Sequence, residues 1–261
     1  SSANSLLEYT EVRCGGSGSQ AGNIRCENCS PTITNSLIAD SCAWGVVCET
    51  GSSPAIVGCV VYGCGGGIRT AGGSATLTNN TITGNSGSDP AIWLQNSSAI
   101  VSNNIVAFNN YGIGATGGSV TLRNNNVFAN TNYQYSGLSV GADDISVDPK
   151  FANASIHNYH LRVGSECIDS GDDTAVDPSW FDFDNEPRIN GDHVDIGADE
   201  FYSYDASAPD TVFTGGPAEG ATADALPVTF SCSGVDDTTP AEELEYSWRI
   251  DGGEWTPFSG E

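Results

Sequence analysis

Five stretches superpose without a gap: PTITNSLIADS (residues 31–41), PAIVGCVVYGC (54–64), ATLTNNTITGN (75–85), AIVSNNIVAFN (99–109) and VTLRNNNVFAN (120–130). Their starts lie 23, 21, 24 and 21 residues apart, the period of a solenoid in which each repeat is one turn. A second block precedes each start: NIRCENCS, GVVCETGSS, GIRTAGGS, AIWLQNSS and GIGATGGS. One repeat therefore holds three short strands.

The columns give the physical reason. Ile33, Ile56, Leu77, Val101 and Leu122 align, as do Ile38, Val61, Ile82, Val106 and Val127, and Ile24, Val46, Ile68, Ile92 and Ile113. Alternation turns each of these inward, and rungs stacked about 4.8 Å apart bury one continuous apolar column per face. No rung encloses a core alone. Between the first and second strands lie Asn35, Asn79, Asn103 and Asn124, each followed by Ser36, Asn80, Asn104 or Asn125. Asparagine tolerates the left-handed backbone of a sharp bend, and its amide reaches its counterpart one rung away, so this corner reads as a stacked ladder. Gly58 and Cys59 interrupt it.

With this pattern, residues 5–142 resemble the right-handed parallel β-helix repeats shared by pectate-lyase-like folds and many bacterial surface proteins. The resemblance implies an all-β fold, a parallel β-helix with three strands per coil over residues 1–142. It fixes no function by itself.

Composition agrees. With 32 glycines, 11 prolines and 38% hydrophobic residues in 261, short strands fit better than a large helical core. The net charge of −25 is uneven: residues 1–142 hold six acids and four bases, whereas 143–261 hold 27 acids and four bases. Such a field repels nucleic acid and anionic lipid and excludes them as partners. No apolar run of about 18 residues is present, so no membrane insertion is expected. The start SSANSLLEYT lacks the basic and apolar regions of a signal peptide, and the chain reads as beginning inside a larger mature protein.

Nine cysteines show no zinc-binding spacing. Cys26 and Cys29 form one isolated C-x-x-C, with no βαβ context for redox chemistry around it. Cys26 and Cys48 share a column on adjacent rungs, where either a disulfide or buried thiols acting as small hydrophobes is compatible. Cys14, Cys42 and Cys64 fall near one corner, where the freer turns favour a disulfide over free thiols, and the odd total leaves a thiol unpaired, with Cys167 and Cys232 the candidates.

After the coils come DDISVDPKF (143–151), YHLRVGSECIDSGD (159–172) and FDFDNEPRINGDHVDIGADEF (181–201). This run resembles the segment called choice-of-anchor Q, which follows β-helix coils in secreted bacterial proteins. The matching residues are Asp148, Pro149, Phe151, Leu161, Ser165, Ile168, Asp169 and Gly171, then Asp182, Asp184, Pro187, Arg188, Asp195, Ile196, Gly197 and Glu200. An open β-helix end exposes core and strand edges, so residues 143–206 are expected as an irregular acidic cap over it. Two readings of its aspartates stand. Asp169, Asp172, Asp182, Asp184 and Asp195 are candidate calcium ligands, or they serve as turn caps and as an ion-pair partner of Arg188. The EF-hand pattern is absent.

Residues 207–261 resemble the first half of an immunoglobulin-like domain, a partial β-sandwich. SAPDTVFTGGP reads as a linker, LPVTFSCSG and LEYSWRI as strands, DGG before EWTPF as a hairpin turn, and Trp248 as the core aromatic. A neighbour adding a strand is one way to complete it.

No catalytic residue is assigned. The coils hold no lysine, their arginines are scattered, and Asp40 and Asp89 are their only aspartates. His157, His160 and His193 fall in the end segment as surface or capping residues. Trp44, Trp93, Phe108 and Tyr111 are candidate binding residues, since outward aromatics stack on sugar faces. The chain is therefore read as a non-catalytic extracellular or cell-surface scaffold or adhesive module that self-associates end to end or by strand addition. The alternative is a polysaccharide-binding or polysaccharide-degrading protein.

Overall fold

A computed structural model describes residues 5–16, 18, 21–49, 51–202, 210–216 and 229–235. The chain divides into two compact units, Ser1–Lys150 with Gly164–Phe201, and Phe151–Val163 with Tyr202–Glu261.

The first unit is a parallel β-solenoid of about six turns. First strands (Leu6–Glu8, Thr32–Thr34, Ala55–Val57, Thr76–Thr78) pair rung to rung, as do the second strands from Glu11–Arg13 to Asn126–Phe128 and the third strands Gly22–Cys26, Trp44–Cys48 and Gly66–Ala71. All three aligned columns pair in register: Ile33 with Ile56, Ile38 with Val61 and Ile24 with Val46 begin series that run through the stack. Their members from Ile33, Ile38 and Val46 onward are buried in one continuous core. Each such side chain contributes about 1.5–3 kcal/mol.

Three short strands per coil hold only for the early coils. Further along, the third strand of one coil runs into the first strand of the next, giving the 11-residue strands Ile92–Ser102 and Ile113–Arg123. Pro31 and Pro54 deny the early corners a backbone donor, whereas the aligned Ala99 and Val120 pair with each other inside the long strands.

The asparagine corner divides its labour between two columns. Asn35, Asn79, Asn103 and Asn124 adopt φ of 45–56°, with Gly58 in the same conformation, and turn their side chains outward. The following residues point inward and form the ladder. Asn80 N–H and Nδ2 both donate to Asn104 Oδ1 (3.0 and 2.9 Å), and Asn104 repeats this to Asn125 Oδ1 (3.0 Å each). Asn125 donates in the same way to Asp144 Oδ1 at 2.8 and 2.9 Å. A carboxylate suits the last rung because only an acceptor is needed there.

A second ladder stands at the corner after the second strand. Cys64 N–H donates to Asn85, which donates to Asn109, then Asn130, ending on Gln134 Oε1. Cys64 thus sits inside this ladder, while Cys14 and Cys42 are exposed in other columns, and all nine thiols are free.

The segment expected to close the stack does two different things. Residues 141–147 end it: Ala142 bridges to Arg123, Ile145 bridges to Asn126, and Val127 N–H bonds to Ile145 O at 3.0 Å. Gly164–Phe201 instead runs along the side, over the outward asparagines. Asn124 donates to Ser170 O (3.1 Å), Asn103 to Asp172 O (3.2 Å), Asn79 to Asp195 O (2.8 Å) and Asn35 to Phe181 O (3.2 Å). This lateral strap reaches from the last coils to the first because each outward amide offers donors that a backbone without regular structure can accept.

In the second unit, Phe151–Asn153 pairs antiparallel with Asn158–Leu161 around a 3-10 turn, and Asp210–Gly215 pairs antiparallel with Ser231–Val235. Asp210–Gly215 lies in the stretch read as a linker. Its β-branched and aromatic residues, Thr211, Val212 and Phe213, favour the extended chain over a free connection. Trp248, LEYSWRI and the DGG turn lie outside the described residues.

Candidate functional site

The outer face of the third strands carries the concentration of aromatic and charged groups that the coils offer. Inward Val46, Ile68 and Ile92 leave their neighbours Val47, Arg69 and Trp93 pointing outward in one column, with Gly114 next. Glycine there has a steric purpose. The Trp93 ring lies over it, so that a Cβ on Gly114 would fall 2.5 Å from Trp93 Cζ3 and 3.1 Å from the Tyr133 hydroxyl. Gly66 similarly receives Trp44, whose Cε3 would meet an added Cβ at 2.7 Å.

Tyr111 and Tyr133 stack on adjacent rungs with centroids 5.3 Å apart. Arg69 sits beside this surface with its side chain only 12% exposed, held by Glu49 at 3.3 Å and by Gln95 Oε1 at 2.9 Å. Burial lifts the Asp89 carboxyl above its usual range, and the Arg69 charge opposes that shift. The result is a half-buried strip of ring, guanidinium, amide and carboxylate.

The four aromatic candidates do not form one row. Trp44 is 2% exposed and packs with Ala43 and Val47, so it is core and not available to a ligand. Trp93 and Tyr111 are half-buried on the third-strand side. Phe108 is 42% exposed but belongs to the corner after the second strand, at φ 58°, edge-on to Phe128 at 5.7 Å. Tyr133, Arg69 and Gln95 join the strip without having been singled out. The signal for Tyr133 is its rung spacing after Tyr111, and for Arg69 its place one rung before Trp93.

In the strap, backbone N–H groups donate to four of the five candidate metal ligands, Asp169, Asp172, Asp182 and Asp195. Asp182 Oδ1 accepts from Asp184 and Glu186 N–H, and its Oδ2 from Glu200 N–H. Asp195 accepts from Asp169 and Phe201 N–H, both at 2.7 Å. Asp169 accepts from Asp192 and His193 N–H, whereas Asp172 caps Thr174 and lies 3.2 Å from Arg123. Asp184 is exposed. Asp182 and Asp195 meet around Arg188, which is 1% exposed and reaches Glu200 at 3.2 Å and the carbonyls of Ala198, Gly197 and Asp199. Burial raises the pKa of Asp182, Asp195 and Glu200 alike, against the lowering pull of Arg188. His193 Nδ1 contacts the Asp173 carboxylate at 2.9 Å on the surface, and His157 closes the 3-10 turn at φ 64°.

A family model described as "Right handed beta helix region" matches residues 9–161. The chain belongs to the right-handed β-helix family. Membership in this broad family fixes the coil architecture and leaves the activity open. Neither the curated proteins nor the solved structures contain a match to this β-helix chain.

Proposed function

We propose that this β-helix chain is a non-catalytic structural or adhesive module of an extracellular or cell-surface protein. The observation that carries the reading is where the polar groups are used. The buried asparagines bind one another from rung to rung, and the strap carboxylates of Asp169, Asp182 and Asp195 accept backbone N–H groups, an economy that suits a rigid spacer. The acidic end segment's resemblance to choice-of-anchor Q and the tail's resemblance to an immunoglobulin-like domain support reading such a module as part of a surface protein. Self-association end to end, or by strand addition to the Asp210–Gly215 and Ser231–Val235 sheet, is part of the proposal. Among the described residues no helix is long and apolar enough to cross a membrane.

Sedimentation of the full chain over a range of concentrations, beside assays for reducing ends and unsaturated products on a panel of acidic and neutral polysaccharides, tests this reading. Concentration-dependent assembly without turnover is expected. Turnover of any polysaccharide, or a monomer at every concentration, contradicts it.

The strip of Trp93, Tyr111, Tyr133, Arg69 and Gln95 favours glycan binding as the second reading, because a sugar needs an apolar face for its ring and fixed polar groups for its hydroxyls. Affinity electrophoresis of the wild type and Trp93→Ala in polysaccharide-containing gels distinguishes it. Retardation lost in the variant supports binding at the strip, and equal mobility with and without polysaccharide removes it.

A further inference from the structure

The first two coils bring three cysteines together. Cys26 ends the third strand Gly22–Cys26 and pairs in register with Cys48 on the next rung, both pointing into the core. The chain then bends: Asn28 takes φ 53°, and this returns Cys29 to pack against the same apolar cluster. Cys26 is 5% exposed and Cys48 is fully buried, while Cys29 is partly open to solvent. Cys26, Cys48 and Cys29 thus meet in one apolar cluster.

We propose that Cys26 and Cys29 form an oxidisable dithiol that closes to an intramolecular disulfide by exchange with a small-molecule disulfide, with Cys48 as the positioning thiol beneath Cys26.

Access and geometry select the pair. Cys26 and Cys48 stand on adjacent parallel strands with parallel side-chain vectors, which oppose a C–S–S–C dihedral near a right angle. The bend at residues 27–28 frees Cys29 from that constraint. As the more accessible thiol, Cys29 reacts first: its thiolate attacks the disulfide RSSR, forms Cys29–S–S–R and releases one thiolate RS⁻. The Cys26 thiolate then attacks the Cys29 sulfur, breaks its bond to SR and releases the second RS⁻. Two protein S–H protons pass to the two leaving thiolates, so two protein thiols are oxidised and RSSR is reduced to two RSH. The neighbouring thiols, Cys48 first and then Cys29, hold the Cys26 pKa below that of an ordinary thiol, which favours the attacking form, while Cys48 is itself raised and stays protonated.

The test incubates the native full chain with bis(2-hydroxyethyl) disulfide, quenches in acid, alkylates after unfolding and maps the linkages by peptide mass. Exposed Cys14 and Cys42 serve as internal reporters that the reagent is active. A Cys26–Cys29 linkage forming ahead of any other is expected, with Cys48 still alkylated. Cys26→Ser is expected to stop at the mixed disulfide on Cys29, and Cys29→Ser to leave Cys26 unmodified. Cys48→Ser is expected to keep the same linkage but to slow closure several-fold and to move its pH profile upward. A Cys26–Cys48 linkage, a persistent mixed disulfide on wild-type Cys29, or unmodified Cys26 and Cys29 while Cys14 and Cys42 react would each overturn the proposal. An unchanged closure rate and pH profile in Cys48→Ser would overturn the role given to Cys48.

Discussion

A buried asparagine in this stack has three rungs to answer to. Asn104 accepts two bonds from Asn80, donates to Asn125 and returns a third contact to Leu77 O at 2.9 Å. Truncation at Asn104→Ala strands the backbone N–H of Asn80 in a dry interior and takes one of two bonds from Asn80 Nδ2, which keeps Ile56 O, and from Asn125 Oδ1, which keeps the Asn104 N–H. The expected cost is about 2–4 kcal/mol, read from urea unfolding, since each orphaned buried group costs about 1–3 kcal/mol. A loss no larger than that of an exposed asparagine such as Asn96 would show that the ladder is incidental. Gly114 tests a different residue-scale idea. Its backbone does not need glycine, so Gly114→Ala acts through the Trp93 ring first and the Tyr133 hydroxyl second, and altered tryptophan fluorescence is expected with a stability loss of about 1–3 kcal/mol from overpacking. The first ladder was legible in the sequence because paired asparagines recur at one offset. The second was not, because its bend residues are Asp40, Gly63, Gly84, Phe108 and Ala129, four different types across five rungs sharing only a positive φ.

At the scale of elements, the strap is the part the sequence did not place. Its hold on the coils runs through backbone carbonyls of Ser170, Asp172, Phe181 and Asp195, which carry no side-chain signature, and the rung columns alone say nothing of what covers their outward corner. The acids and the arginine that organise it were visible, and Arg188 did find an acidic partner, in Glu200. Arg188→Ala leaves buried acids without their cation and is expected to destabilise the strap by about 3–5 kcal/mol. Limited proteolysis between residues 164 and 201 reads this out, and undiminished resistance would contradict it. Because burial raises Asp195 and Glu200, the folded strap binds protons that the unfolded chain releases. That stability is complete below the unfolded carboxylate pKa, about 4, and is lost as pH rises through the raised folded values. Asp173 is shifted downward, and its contribution changes only at more acid pH. The melting midpoint is expected to fall from mildly acid to alkaline pH, and Glu200→Gln to flatten the slope. With N–H groups on the carboxylates of Asp169, Asp182 and Asp195, millimolar calcium and chelator are expected to give the same midpoint. A rise with calcium would favour the metal reading.

For the molecule as a whole, the coils, the closing residues 141–147 and the strap make one system in which each rung is shielded by its neighbours. The register of the five aligned stretches was readable from the sequence because stacking repeats the same demand on each turn, and the aligned columns pair as drawn, whereas the earlier rung of Leu6–Glu8 and Glu11–Arg13 lay outside the alignment. The candidate site was less readable. Whether an aromatic at a corner faces solvent depends on what the neighbouring rung offers, and Gly66 beneath Trp44 turned one candidate into core. Native-state amide hydrogen exchange of the full chain tests the central claim most directly. Amides of Asn80, Asn104 and Asn125 in the ladder and of Gly197 and Ala198 in the strap are expected to exchange together in the slowest class. Strap amides exchanging like those of a free segment, or ladder amides exchanging like exposed ones, would contradict a stack locked from inside and along its side.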